Sequence, residues 1–199
     1  MKVEFITLKK KGIKDFARER NELLKNTKSG WVFFVDSDEK ITPALREEVN
    51  QLNSNSVKSV NGYYVYRKNY FLGRYIGTDK ILRMGRKNAG MWTRRVHEVW
   101  RIKGKAGVLT NPLVHNSAVN LHEFVNKINF YSTLHAEENL ADGKKSNLFK
   151  IVCYPPAKLI QSLLIGRGFV FSMLQSFHSY LAWSKEWQLT RKTGLAKSA

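Results

Sequence analysis

The chain has 199 residues, 34 Lys and Arg against 16 Asp and Glu, and a formal charge of +18. That length holds one good core, or one core with a docked appendage, and the absence of any internal repeat or low-complexity tract excludes a solenoid or a disordered protein. The positive surplus calls for an anionic partner, whether nucleic acid, an acidic membrane face or a phosphorylated substrate.

Val3–Leu8 alternates weakly and reads as a short strand. The apolar part of this opening is too short and too charged for a secretion signal, which predicts a cytoplasmic location. Asp15 then caps a predicted helix on which Phe16, Arg20, Leu23 and Leu24 recur at helical spacing. After Ser29-Gly30, the run 31–35 is apolar throughout, reads as a buried strand, and ends in Asp36-Ser-Asp38-Glu39. Thr42-Pro43 supplies an N-cap and a first-turn proline for a helix with Leu45, Val49 and Leu52 as its inner stripe. The polar run 53–61 predicts a loop, 62–67 a strand and 80–84 another short strand, while 92–98 leads into a segment rich in His and Arg. Helix followed by strand, with polar strand ends, predicts an open α/β sheet whose ligand crevice lies beyond the carboxyl ends of the strands, Asp36 and Asp38 among them.

Residues 117–140 are predicted helical, and the polar hinge 141–147 separates them from the most hydrophobic part of the chain, 148–189. Gln175, His178 and several serines interrupt its uncharged interval, which makes a poor membrane span. The expectation is a helix lying in an anionic membrane surface, with Phe169, Met173, Phe177, Tyr180, Leu181 and Trp187 inserted and Arg167, Lys185 and Arg191 at the headgroups. A single short span is the alternative. Gly166-Arg-Gly168 marks a local break, not a dinucleotide fingerprint, because no strand precedes it. The single cysteine, Cys153, excludes a disulfide framework within the chain and reads as a packing residue.

The Asp36-x-Asp38 pair offers hard oxygen ligands for Mg²⁺ or Mn²⁺, which would carry a diphosphate. Taken alone, the pair reads first as a solvated turn after a strand. A calcium loop is excluded because Ile41 stands where such a loop needs Gly. Lys80, Arg83 and Arg95 are candidates for phosphate oxygens, with plain solvated charge as the other reading. Tyr63, Tyr64, Tyr66, Tyr70 and Tyr75 read as core or sheet-face aromatics before sugar-stacking ones. His115, His122 and His135 lack paired spacing for zinc. No nucleic-acid recognition signature accompanies the scattered basic residues, so nucleic acid is not expected as a partner.

The runs Lys14-Asp-Phe-Ala-Arg18-Glu-Arg20-Asn21, Leu23-Leu24 and Trp31-Val-Phe-Phe-Val-Asp36-Ser-Asp38-Glu39-Lys-Ile-Thr-Pro43 together resemble the core of the family 2 glycosyltransferases, of GT-A type and inverting. Tyr70-Phe-Leu-Gly73-Arg74-Tyr75, Lys80-Ile-Leu-Arg83 and Trp92-Thr-Arg94-Arg95-Val96-His97-Glu98 resemble the acceptor half of the subgroup that includes the lipopolysaccharide core glucosyltransferases. The resemblance implies a GT-A-like, Rossmann-like sheet, a catalytic core over 1–116 and a helical region with a membrane-associated tail over 117–199. It assigns Arg20 and Asn21 to the nucleotide-sugar donor; read without the family, Arg20 is an ordinary helix-surface charge. Inversion requires a base for the acceptor hydroxyl. Glu98 is the first choice, with His97 orienting it or touching the diphosphate; His97 as the base is the alternative. His115, in Asn111-Pro-Leu-Val-His115, also has a family counterpart, its role open.

The implied function is metal-assisted transfer of a sugar from a nucleotide-sugar donor to a lipid-linked or cell-envelope glycan acceptor, by a protein peripheral on the inner face of the cell membrane. Family members open with a Pro-x-Tyr/Asn-Asn-Glu strand and a second strand ending in acidic residues with Gly-Ser. This chain begins after both, so the match implies a partial nucleotide pocket. A non-catalytic fragment or membrane-associated adaptor of the same family is the alternative.

Overall fold

The computed structural model describes residues 2–8, 12–52, 59–95, 98–118 and 120–195, with side chains to Arg191. It is an α/β structure in two compact units: Met1–Tyr70 with Gly77–Ser117, and Phe71–Ile76 with Ala118–Ala199.

β1 (Val3–Leu8), β2 (Trp31–Asp36), β3 (Glu39–Ile41), β4 (Gly62–Phe71), β5 (Arg74–Arg86) and β8 (Ala106–Asn116) form one mixed sheet in the order β1-β2-β5-β4-β8-β3, in the first unit except for the tip of the β4–β5 hairpin. β1 runs parallel to β2 and β4 parallel to β8, whereas β5 is antiparallel to β2 and β3 antiparallel to β8. β6 (Gly90–Thr93) and β7 (Val99–Ile102) make a separate antiparallel pair. Strands β7 and β8 fall where the sequence was read only as a segment rich in His and Arg. The expected short strand 80–84 is the end of the long β5, which joins β4 through Leu72 and Gly73, both at positive φ (47° and 77°), as a two-residue hairpin requires.

The sheet curls. β3 follows β2 after only Ser37 and Asp38, yet pairs at the far edge of the order. In a flat sheet the two would lie about 19 Å apart. Two linking residues reach about 11 Å, so the edge carrying β3 must bend back toward the end of β2.

β2 is covered on both faces, which explains its unbroken apolar run. Trp31, Phe33 and Val35 join Leu45 and Val49 of α2 (Pro43–Gln51) and Val65, Leu109 and Leu113 of the sheet. Val32 and Phe34 pack with Ala17 and Leu24 of α1 (Phe16–Asn26) and with stacked Trp92 and Trp100. Each large apolar side chain so buried contributes about 1.5–3 kcal/mol. Both helices start as predicted: the Asp15 side chain accepts from the Arg18 amide, and Thr42 from the Leu45 amide.

The second unit contains α3 (Leu121–Ala141), α4 (Leu148–Leu164) and α5 (Phe169–Leu195) around Phe71, Ile76, Phe124, Ile128 and Phe171. Among the described residues no helix is long and apolar enough to cross a membrane. The local break expected at Gly166-Arg167-Gly168 separates α4 from α5. Leu181, expected in lipid, packs against the Phe71 cluster, and Lys185 reaches Asn129, Ser132 and Thr133 on α3.

Candidate active site

Parity along β2 carries Asp36 to the face of Val32 and Phe34, where α1 lies. On α1 the buried stripe is Ala17, Arg20 and Leu24. Arg20 is therefore 1% exposed, not the helix-surface charge that the bare sequence suggested. Its Nε donates to Glu98 Oε1 (3.0 Å), an Nη donates to Asp36 Oδ1, and the guanidinium lies 4.6 Å from the centre of the Trp92 ring.

From β5, the buried Arg83 donates to Asp36 Oδ2 (2.5 Å) and to Glu39 Oε1 (2.6 Å). The Glu39 side chain is fully buried. Its Oε2 accepts from the Asp36 amide (3.0 Å) and its Oε1 also from Arg67 (3.1 Å). Arg67 grips Asp79 across the β4–β5 hairpin through two bonds of 3.0 and 2.7 Å. Asp79 in turn accepts from Asn69 Nδ2 (3.1 Å).

Asn69 and Glu39 both stand opposite His115, one in β4 and one in β3, because β8 runs between them. Asn69 Nδ2 is committed to Asp79, which turns Oδ1 toward His115 Nδ1 at 2.8 Å. His115 Nδ1–H is therefore the donor. His115 Nε2 then faces Asp38 Oδ2 at 3.5 Å, and the Asp38 carbonyl accepts from the Asn116 amide (2.9 Å). One polar network thus runs from Glu98 to Asp38 through Arg20, Asp36, Arg83, Glu39, Arg67, Asp79, Asn69 and His115. It holds five carboxylates against three guanidinium groups.

Burial alone would raise the Asp36 carboxyl pKa, but Arg83 and Arg20 outweigh it and hold it below the usual carboxylate range. Asp79 is likewise held low, burial being overcome by Arg67 and Asn69. Burial disfavours the Arg83 cation, and Asp36 and Glu39 more than restore it.

The remaining predicted residues are placed as follows. Asn21 Nδ2 donates to the Trp92 carbonyl and Asn21 Oδ1 accepts from the Trp92 amide, each at 2.9 Å, so this side chain clamps α1 to β6. Lys80 is exposed, its Nζ 5.4 Å from the Tyr64 ring centre. Arg95 is exposed beside a cleft of about 460 Å³ that Arg18, Lys25 and Arg94 also line. His97 lies outside the described residues.

Sequence reasoning passed over Glu39, Arg67, Asn69 and Asp79 as site residues. Glu39 carried a signal, being the third acid of the cluster. Arg67 and Asn69 share a strand face at spacing two, but only the hairpin register brings Asp79 to them.

With respect to a cation, Asp36 is a closed ligand, since guanidinium groups take both its oxygens. Asp38 has a side chain a third exposed, and His115 Nε2 lies beside it. Carboxylate and imidazole suit Mn²⁺, and an imidazole that donates its other N–H to a fixed acceptor has the support usual for a metal ligand.

No protein-family model matches the chain. It is 27% identical to the lipopolysaccharide core biosynthesis glycosyltransferase LpsC of Rhizobium meliloti, over 87% of this chain and 69% of that protein. Uncharacterized glycosyltransferases of Rickettsia prowazekii and Rickettsia typhi are each 23% identical over 82% of this chain and 64% of their own length. The chain thus spans about two thirds of the length of these relatives. The similarities support a transferase of the glycosyltransferase class.

Proposed function

We propose that the chain carries the catalytic core of an inverting, family 2 glycosyltransferase of GT-A type. It moves a sugar from a nucleotide donor to a lipid-linked or cell-envelope glycan, in lipopolysaccharide core assembly as in the named Rhizobium relative. The observation that carries this reading is the Asp38–His115 pair at the end of β2. With Nδ1 donating to Asn69, His115 turns Nε2 toward a carboxylate 3.5 Å away. A carboxylate and an imidazole nitrogen that converge in this way are donors of the kind a divalent transition-metal cation takes.

Asp38 and His115 would hold a Mn²⁺ or Mg²⁺ ion, which would supply positive charge against the leaving nucleoside diphosphate. Among the described residues no third His, Cys, Asp or Glu joins them, so donor phosphates would have to complete such a site. Arg20 positions both Asp36 and Glu98, and Asn21 holds the Trp92 strand under the Arg20 guanidinium. Glu98 Oε1 is occupied by Arg20, so Oε2 takes the proton of the acceptor hydroxyl as that oxygen attacks the anomeric carbon and the bond to the diphosphate breaks. Lys80 and Arg95, both exposed, meet phosphates of donor or acceptor.

The test is Mn²⁺-dependent release of nucleoside diphosphate from a panel of nucleotide sugars. Release that Asp38→Ala abolishes supports the reading. Release equally fast in Asp38→Ala and in the absence of divalent cation overturns it.

A further inference from the structure

Helices α4 and α5 pack as an antiparallel hairpin tied by serines at three levels. Ser146 Oγ donates to the Trp183 carbonyl (2.8 Å), Ser176 Oγ to the Pro155 carbonyl (2.8 Å), and Ser172 Oγ to Ser162 Oγ (2.9 Å). The last pair is buried beside the apex, so the turn beyond it is held in one geometry. That turn needs its glycines: Gly166 and Gly168 have φ of 77° and 80°.

The fixed apex presents Leu164, Ile165, Phe169 and Val170 at 82%, 59%, 64% and 55% exposure. Clustered apolar side chains held in water at the end of a rigid hairpin mark a contact surface. The hairpin's own exposed charge has one sign. From Gly143 onward the sequence has nine Lys and Arg and one acid, Glu186, and Glu186 is fully buried. The hairpin therefore shows solvent no negative group among its described residues.

We propose that the α4–α5 apex, residues 163–170, inserts into one leaflet of an anionic phospholipid bilayer, with Lys158 and Arg167 meeting headgroup phosphates. The apolar apex gains by leaving water, and the cations around it gain from the negative surface. A second copy of the chain is a poorer occupant, because it would set one cationic hairpin against another. Insertion is shallow: Lys158 and Gln161 come within two turns of the apex, and no described helix can cross. The proposal is independent of the donor site.

Flotation of the full chain with vesicles tests it. Capture is expected on mixed phosphatidylcholine and phosphatidylglycerol vesicles and not on phosphatidylcholine alone. The double variant Leu164→Ser, Phe169→Ser should bind at least about tenfold more weakly, with an unchanged circular dichroism spectrum. An Ile165→Cys, Cys153→Ser protein labelled with an environment-sensitive fluorophore should brighten only with the anionic vesicles. That readout does not depend on how the serine variant folds. Equal capture by both compositions, no brightening of the apex label, or a solution dimer that the serine variant dissociates without any vesicle capture would overturn the proposal.

Discussion

Asn69 decides which nitrogen of His115 faces Asp38. Its carboxamide is oriented by Asp79, accepts from His115 Nδ1–H, and leaves Nε2 toward the Asp38 carboxylate. Removing such an outer partner typically weakens metal binding by about 10–100-fold. Asn69→Ala should therefore raise the Mn²⁺ concentration needed for half-maximal donor turnover by that order, with little change in turnover at saturating metal. An unchanged Mn²⁺ requirement would remove Asn69 from this role.

Asp36 separates two buried guanidinium groups, so Asp36→Asn leaves Arg20 and Arg83 short of their counter-charge. Breaking a buried pair from one side costs about 3–5 kcal/mol. Because Asp36 keeps a quarter of its side-chain surface in water, the lower end of that range is expected. Urea denaturation measures the loss directly. A variant as stable as the parent would show that solvent already screens these charges.

Acid should destabilise the fold. Asp36, Asp79 and Glu48 all have lowered pKa values, Glu48 because amide and side-chain donors of Thr110 and Asn111 outweigh its burial. A carboxylate with a folded pKa below its unfolded one stabilises fully above the unfolded value and loses that contribution as pH falls through the folded value. The urea midpoint should be flat from pH 7 to about 5 and fall below about pH 4. Glu48→Gln should lower the neutral midpoint and flatten the acid limb. A midpoint that climbs on acidification would contradict the assignment.

Gly90 admits no side chain. A Cβ there would lie 1.8 Å from the Arg101 carbonyl oxygen, in the strand pair that carries the Trp92–Trp100 stack beside Arg20. Gly90→Ala should cost about 1–3 kcal/mol and lower the intensity of near-ultraviolet dichroism from the tryptophans. Retention of both signals would mean that the β6–β7 pair yields more easily than its packing indicates.

The α/β class, the caps at Asp15 and Thr42, the buried β2 and the break at Gly166 could be read from the sequence because each rests on neighbours a few residues apart. Glu39, Arg67, Asn69 and Asp79 could not. Glu39 and Asn69 meet at His115 only because β8 lies between β4 and β3, a pairing across tens of residues, and Asp79 reaches Arg67 and Asn69 only through the register of the β4–β5 hairpin. Arg20 was the opposite case: helical spacing put it on the inner stripe beside Leu24, yet charge alone argued for the surface. The five-carboxylate network is what allows a guanidinium to stay inside.

The two-residue link between β2 and β3 has a mechanical consequence. Asp38 sits on the seam where the curled sheet meets itself, so its position is tethered by both margins at once and cannot drift as a loop tip would. Even one added glycine between Ser37 and Asp38 would slacken that tether and part the carboxylate from the imidazole while leaving every strand intact.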